Sequence, residues 1–400
     1  MNNVIRKKFI YFFLFPFFSS LTALKNIKSR SSILIIIGFF LLFGLSFNPV
    51  NEKEDSFRYA EEFREFQKNP DRNFQEIISN YTGDNVNIND QVKDIYVYLI
   101  YYISSKIGGN NIHILFFLFA LVFTFFCVGS LKYIINNRNF HYSWAAYILL
   151  FLFFYSNSIY NINGVRFWTA SWAAVYISFH ILIDGNKKWI FAFLFIPLIH
   201  IGFIVYIAFF LISYLFRSRT DTLFKFFIIS FFLGQVGLII LDSIKGFLPP
   251  LLQNLIWSYT QSEFMMNKVN DMQNEPMYVI VLNSLPRYYE LLLLFLVGYN
   301  RNKLPSSPIL GFTLCFFSII NLFAFIPSLG TRYYLVAYPF IVYLWIDNLH
   351  YLRKSTVVLK FVPIIYAYRL YRWIRNVLLV TPITLYVSNF FHLIIKFIMS

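Results

Sequence analysis

The stretch KKWIFAFLFIPLIHIGFIVYIAFFLISYLFRSR, residues 187–219, decides how the rest of the chain is read. Between Trp189 and Phe216 no Asp, Glu, Lys or Arg interrupts it, and the run exceeds the roughly 20 residues that carry a helix across ~30 Å of hydrocarbon. Lys187, Lys188, Arg217 and Arg219 flank it on both sides. Basic residues collect in cytoplasmic loops, so both ends belong on the same side, which a single crossing cannot satisfy. Two short arms joined at an outer break can. Pro197, which lacks a backbone donor, and the polar step HIG at 200–202 supply that break.

The same logic extends along all 400 residues, of which 58% are hydrophobic and 13% charged. So little polar surface cannot clothe a water-soluble globule, and the chain reads as a polytopic membrane protein. The net charge of +15 does not indicate nucleic acid, because Lys and Arg fall in clusters between apolar runs, at Lys25/Lys28/Arg30, Lys132/Arg138, Arg301/Lys303, Arg353/Lys354 and Arg369/Arg372/Arg375. Acidic residues concentrate instead in two long polar segments, 49–91 and 242–276, which are assigned to the outside. The expected fold is all-α: one transmembrane domain over 1–400, a bundle of roughly 10–13 helices, some short or re-entrant. The segment 350–376 reads as basic and cytoplasmic or interfacial, followed by a last crossing at 377–397. The first run, 9–24, is compatible with a span, a re-entrant segment or an uncleaved anchor, and no small-residue cleavage site follows it. Cys127 and Cys315 lie inside apolar runs, so neither a disulfide framework nor a cysteine metal site is indicated.

This topology brings several polar residues to the outer face. Asp55 and Arg58, three apart with Tyr59 beside them, would share a helix face, either as a plain ion pair or with the carboxylate as a base or ligand. Arg166 opens an otherwise apolar helix (GVRFWTASW); its guanidinium cannot lose its proton, so it is either a snorkelling anchor or a bidentate phosphate clamp. Arg332 repeats the pattern with Tyr333, Tyr334 and Tyr338 nearby. His200, at the proposed break, is a core residue or a proton carrier. Arg287 and Glu290 either neutralise each other or form a buried binding pair. No Walker A, HExxH or GxSxG sequence is present, so ATP-driven work and nucleotide-sugar use are disfavoured, and any transferred group should arrive activated on a lipid.

Four features in this order, EDSFRYAEEF (54–63), NINGVRFWTASWAA (161–174), WIFAFLFIPLIHIGFIVY (189–206) and GTRYY (330–334), make the chain resemble the EpsG family, related to the Wzy-type polysaccharide polymerases. The resemblance implies a fold that is GT-C-like by analogy only, and a metal-independent glycosyltransferase of the bacterial cytoplasmic (inner) membrane, active on its outer face without a cofactor. Polyprenyl-diphosphate-linked oligosaccharides would be joined by inverting displacement for exopolysaccharide, capsule or O-antigen. In that scheme Arg166 and Arg332 neutralise the leaving diphosphate, and His200 or Asp55 orients or deprotonates the acceptor hydroxyl. Arg58, Tyr59, Tyr333 and Arg287 would bind substrate. A flippase and a chain-length regulator would be partners. The competing readings are an O-antigen-ligase-like or other lipid-linked-sugar transferase, a flippase or transporter, and an assembly scaffold.

Overall fold

The computed structural model describes residues 3–82, 95–234, 275–305, 307–324 and 326–398, with residues 239, 240, 243, 245–247 and 253 between them, and among these it is helical with no strand. Most of the expected loop 242–276, and 83–91 of the loop 49–91, lie outside the described residues. Three helical stretches are long and apolar enough to cross a membrane: Ile112–Ile135, Trp144–Leu182, which is interrupted, and Met277–Tyr299. This is a membrane protein.

Five helices frame the N-terminal half of the bundle: α3 (Arg30–Leu45), α7 (Ile112–Ile135), α8 (Trp144–Ser156), α9 (Val165–Leu182) and α11 (Phe203–Phe216). Each of α3, α7 and α8 starts on a side chain that captures an orphan backbone N–H: Ser29 for Ser32, Asn111 for His113 and Ile114, Ser143 for Ala146. The directions follow from which residues meet. Phe47 stacks near Phe116, with centroids 4.6 Å apart, and Gly44 abuts the Phe116 carbonyl so closely that a Cβ would lie 2.7 Å from its oxygen. Helices α3 and α7 are therefore antiparallel and share a close, small-residue approach. Phe123 meets Trp172 while Tyr133 meets His180, so α7 and α9 run in parallel. Asn157 Nδ2 donates to the Trp168 carbonyl at 3.1 Å and Phe153 packs on Trp172, two pairs nested about one centre, so the chain reverses at 157–164.

The opening stretch behaves as a hairpin with a broken apex. From the Gly185 turn, whose φ of +68° a side chain would strain, Lys187–Phe195 and α10 (Ile196–Ile199) climb antiparallel to α9, with Trp189 near Tyr176 and His200 near Phe167. Then α11 returns, Phe210 passing Phe193. Helices α12 (Thr220–Ser230), α13 (Met277–Tyr299), α14 (Pro308–Leu322) and α15 (Pro327–Asp347) complete the bundle. Phe312–Phe340 and Phe317–Tyr334 contacts make α14 and α15 antiparallel, whereas Trp345 and Tyr334 bond the Leu293 and Arg287 carbonyls, making α13 and α15 parallel.

All basic clusters noted above except the last gather at one end, called here the basic end, where Lys28 Nζ donates to the Phe140 carbonyl at 2.9 Å and Asn139 to the Asp347 carbonyl at 2.7 Å. The last cluster lies on a different element. Val362–Val380 is a single helix, α16, started by Pro363 at its N-terminus and running along α8 and α13 away from the basic end. Tyr366 lies against Tyr155, Trp373 Nε1 reaches Ser158 Oγ at 3.0 Å, and Val380 accepts from the Asn48 N–H at 2.8 Å, at the far end. The residues after it form no crossing: α17 (Thr384–Val387) has 4 residues and α18 (Phe390–Ile398) has 9, about 14 Å of helix. At the N-terminus, α1 (Asn3–Leu14) and α2 (Pro16–Ala23) are likewise too short to cross. Lys8 bonds Ser29 at the basic end, Phe17 reaches Phe39, and Tyr147 bonds the Lys25 carbonyl back at the basic end, so the run leaves that end and returns to it.

Candidate active site

The far end is built around the reversal 157–164 and the first turn of α9. The acidic segment supplies α4 (Asp55–Phe66), whose Ser56, Tyr59, Ala60, Phe63 and Phe66 face inward at helical spacing onto α6 (Ile95–Gly108) and α7. Asn163 holds its start: Oδ1 accepts from the Ser56 N–H at 3.3 Å and Nδ2 donates to Glu54 Oε2 at 2.8 Å. A loop side chain thus caps a helix more than a hundred residues away in sequence. On the exposed face Arg58 pairs with Asp55 at 3.0 Å and with Glu62 at 3.7 Å. Both members of the first pair are about half exposed, so it is worth at most about 1 kcal/mol and serves to position.

Arg166 leaves the first turn of α9 toward α4. Its Nε donates to Tyr59 Oη at 2.9 Å and its guanidinium lies 5.4 Å from the Tyr59 ring centroid. Tyr59 is 2% exposed, and burial pushes its phenol up to about 12 against the lowering pull of Arg166, so it meets the arginine as a neutral acceptor. A Cβ on Gly164 would lie 3.7 Å from Asp55 Oδ2, so Asp55 hangs over the turn that presents Arg166.

The next residue, Phe167, is the hub of a second group. Its ring lies 5.7 Å from His200, 5.9 Å from Tyr333 and 5.1 Å from Phe203, and the Arg332 guanidinium stands 5.2 Å from its centroid. The broken apex is held open by Tyr333, whose Oη donates to the Gly202 carbonyl at 2.5 Å, satisfying a backbone group the break would otherwise strand. Asp55, Arg58, Tyr59, Arg166, His200, Arg332 and Tyr333 therefore all reach one end of the bundle: Asp55 pairs with Arg58, Tyr59 holds Arg166, and His200, Arg332 and Tyr333 meet at Phe167.

Arg287 stands apart. Its guanidinium lies 5.2 Å from the Tyr334 ring beside a cavity of about 240 Å³ that Tyr288 and Asn321 also line. Glu290, three residues on, has a buried carboxylate that accepts from Tyr366 of α16. That helix also brings Arg369 to the Asn283 carbonyl and Arg372 to Asn283 Oδ1 at 3.3 Å. Sequence reasoning missed these two arginines because their cluster resembles a cytoplasmic one. The signal that could have found them is Glu290, an acidic residue inside an apolar run that requires a partner. Asn163 and Phe167 were also missed, being ordinary among many Asn and Phe.

Chemically, the site offers fixed cations held on aromatic faces and phenols, at the N-terminal part of two parallel helices, α9 and α15, with an imidazole and a carboxylate within the same cluster. Such a set suits an anion with several oxygens. Among the described residues no group of three or more His, Cys, Asp or Glu could hold a metal ion. The model of the EpsG family matches residues 31–388. No curated protein and no solved structure matches the chain.

Proposed function

We propose, from the premise that the chain belongs to the EpsG family, that it polymerises lipid-linked oligosaccharide repeat units on the outer side of a bacterial cytoplasmic membrane. Membership of the family implies a role like that of a polysaccharide polymerase, and thus glycosyltransferase-like chemistry. The finer reading is supported by one observation above the rest: Arg332 and His200, from segments far apart in sequence, both lie on the ring of Phe167, the residue next to Arg166, which itself bonds Tyr59.

In this mechanism the growing chain is bound through its polyprenyl diphosphate. The terminal hydroxyl oxygen of the incoming unit attacks the anomeric carbon from the face opposite the diphosphate. The new C–O bond forms as the bond to the diphosphate oxygen breaks, inverting the centre. Negative charge builds on the leaving oxygen, where two preorganised guanidiniums stabilise it more than they stabilise the ground state. The hydroxyl proton passes to a base. His200 is the better placed acceptor, because one Asp55 oxygen is already engaged by Arg58 at 3.0 Å; Asp55 then orients the acceptor sugar. Arg287 and Tyr333 extend the binding surface, and the flippase and chain-length regulator would act before and alongside this step.

The test is deletion of the gene in its host, with wild-type and Arg166→Ala copies returned and the polysaccharide sized. Single repeat units in the deletion, not lengthened by Arg166→Ala, support the reading. Long polymer left unattached to its final carrier would indicate a ligase, and units trapped on the cytoplasmic leaflet a flippase.

A further inference from the structure

A second candidate site lies at the opposite end of the bundle. A cleft of about 810 Å³, against about 240 Å³ beside Arg287, follows one face of α7 from Leu121 and Phe125 past Gly129 and Lys132 to Asn136. The spacing of three and four keeps these residues in one row, about 22 Å long. The half away from the basic end is mainly apolar, lined by Ile37 of α3 with Leu121, Phe125 and Val128, and Thr124 among them. The mouth is polar and carries four charged side chains: Lys132, Arg138, Asp184 and Asp347.

Those charges do not cancel one another. Asp347 is taken up by amides, Asn137 Nδ2 donating to it at 2.9 Å, with Asn139 reaching the same residue. Asp184 accepts from Tyr133 and sits 2.8 Å from His180 Nδ1. Lys132 and Arg138 form no ion pair among the described residues. His180 is fixed by stacking on Trp189, 4.1 Å between centroids, and its buried Nε2 has no hydrogen-bond partner among the described residues. An apolar trough ending in two uncompensated cations and an unsatisfied imidazole nitrogen matches an amphiphile with an anionic head.

We propose that this cleft binds an anionic phosphate lipid, its phosphate held by Lys132 and Arg138 and its chain lying along Ile37, Leu121, Phe125 and Val128. The occupant's chemistry is shared by an acidic phospholipid of the bilayer and by a prenyl monophosphate. The site is separate from the arginine cluster, and its proposal does not rest on the polymerase reading.

The purified full chain in detergent is incubated with equimolar phosphatidylglycerol, phosphatidylcholine and decaprenyl phosphate, and retained lipid is counted by native mass spectrometry. The wild type should retain an anionic lipid over phosphatidylcholine, and Lys132→Ala/Arg138→Ala should lower that preference on the order of tenfold. The Lys187→Ala/Lys188→Ala control, at the same end but outside the cleft, should keep it. Retention of phosphatidylglycerol alone identifies the bilayer as the source, decaprenyl phosphate alone the carrier pool, and both alike a site that reads only the phosphate. No preference over phosphatidylcholine, or a preference unchanged in the cleft variant, overturns the proposal.

Discussion

The two ends of the bundle both carry arginines and lysines, yet they hold them differently. At the basic end Arg301, 4.6 Å from the Phe224 ring, also meets the exposed Asp221 carboxylate at 2.6 Å, and Lys28, 5.0 Å from the Phe140 ring, reaches a loop carbonyl. In the Arg301 pair the carboxylate stands largely in water, so the pair is worth little. At the far end Arg166, Arg332 and Arg287 lie against Tyr59, Phe167 and Tyr334. A ring face or a neutral phenol orients a guanidinium without neutralising it. Rings lie beside cations at both ends; what sets the far end apart is that Arg332 and His200 gather on Phe167, next in sequence to Arg166.

The largest test of that contrast is removal of the arginines. Arg166→Ala and Arg332→Ala, each inserted at wild-type level, should lower polymer formation by about a hundredfold or more, the usual cost of one preorganised charge partner. Arg166→Lys should rescue little, because a point charge cannot replace the fork that bonds Tyr59. Polymer yield on gels, normalised to membrane protein, measures both.

Next is the support beneath Arg166. Tyr59→Phe removes the acceptor of a charged hydrogen bond and should cost about tenfold in activity, ~1.4 kcal/mol. Because burial raises the folded pKa of Tyr59 to about 12, the phenol stays neutral below its ordinary value of 10.0, and the stability of burying it is lost only as pH rises through about 12. The Tyr59→Phe factor should accordingly be the same at pH 6 and pH 9. A factor that shrinks by pH 9 would mean that the phenol ionises there.

Asn163→Ala should have a smaller effect, about 1 kcal/mol, the cost of a lost cap, read as earlier proteolytic nicking within α4. The smallest effects belong to solvated pairs. Asp71 is mostly exposed, and its carboxyl is drawn below its ordinary range chiefly by its bond to Lys106. What that pair gives is present above the unfolded value of 3.8 and fades only as pH falls below it. Lys106→Ala, in the outer acidic segment, and Arg301→Ala, at the basic end, should therefore leave polymer yield and detergent melting temperature unchanged at pH 5 to 8. A marked loss from Arg301→Ala would erase the distinction between the two ends.

Much of this was legible in the sequence. The apolar run with basic residues at both ends required a broken hairpin, and Pro197 with His200–Gly202 marked its apex. Arg166 and Arg332 stood out because each is a charge at the mouth of an apolar helix. The C-terminal region was misread for a physical reason: Arg369, Arg372 and Arg375 look like a loop cluster, while their helix is drawn along α13 by Glu290 and the Asn283 carbonyl, partners distant in sequence. Phe167 could not be singled out, since its importance lies in which rings and cations surround it, and nothing in its own neighbourhood of sequence records that.

The central claim is that the arginines around Tyr59 and Phe167 form a diphosphate site. Its most direct test is the affinity of purified protein for farnesyl diphosphate, measured in a Lys132→Ala/Arg138→Ala background so that the basic end does not contribute. Adding Arg166→Ala and Arg332→Ala should weaken binding by about a hundredfold, two charged contacts at roughly 1.4 kcal/mol each. Affinity unchanged by both substitutions would contradict the account.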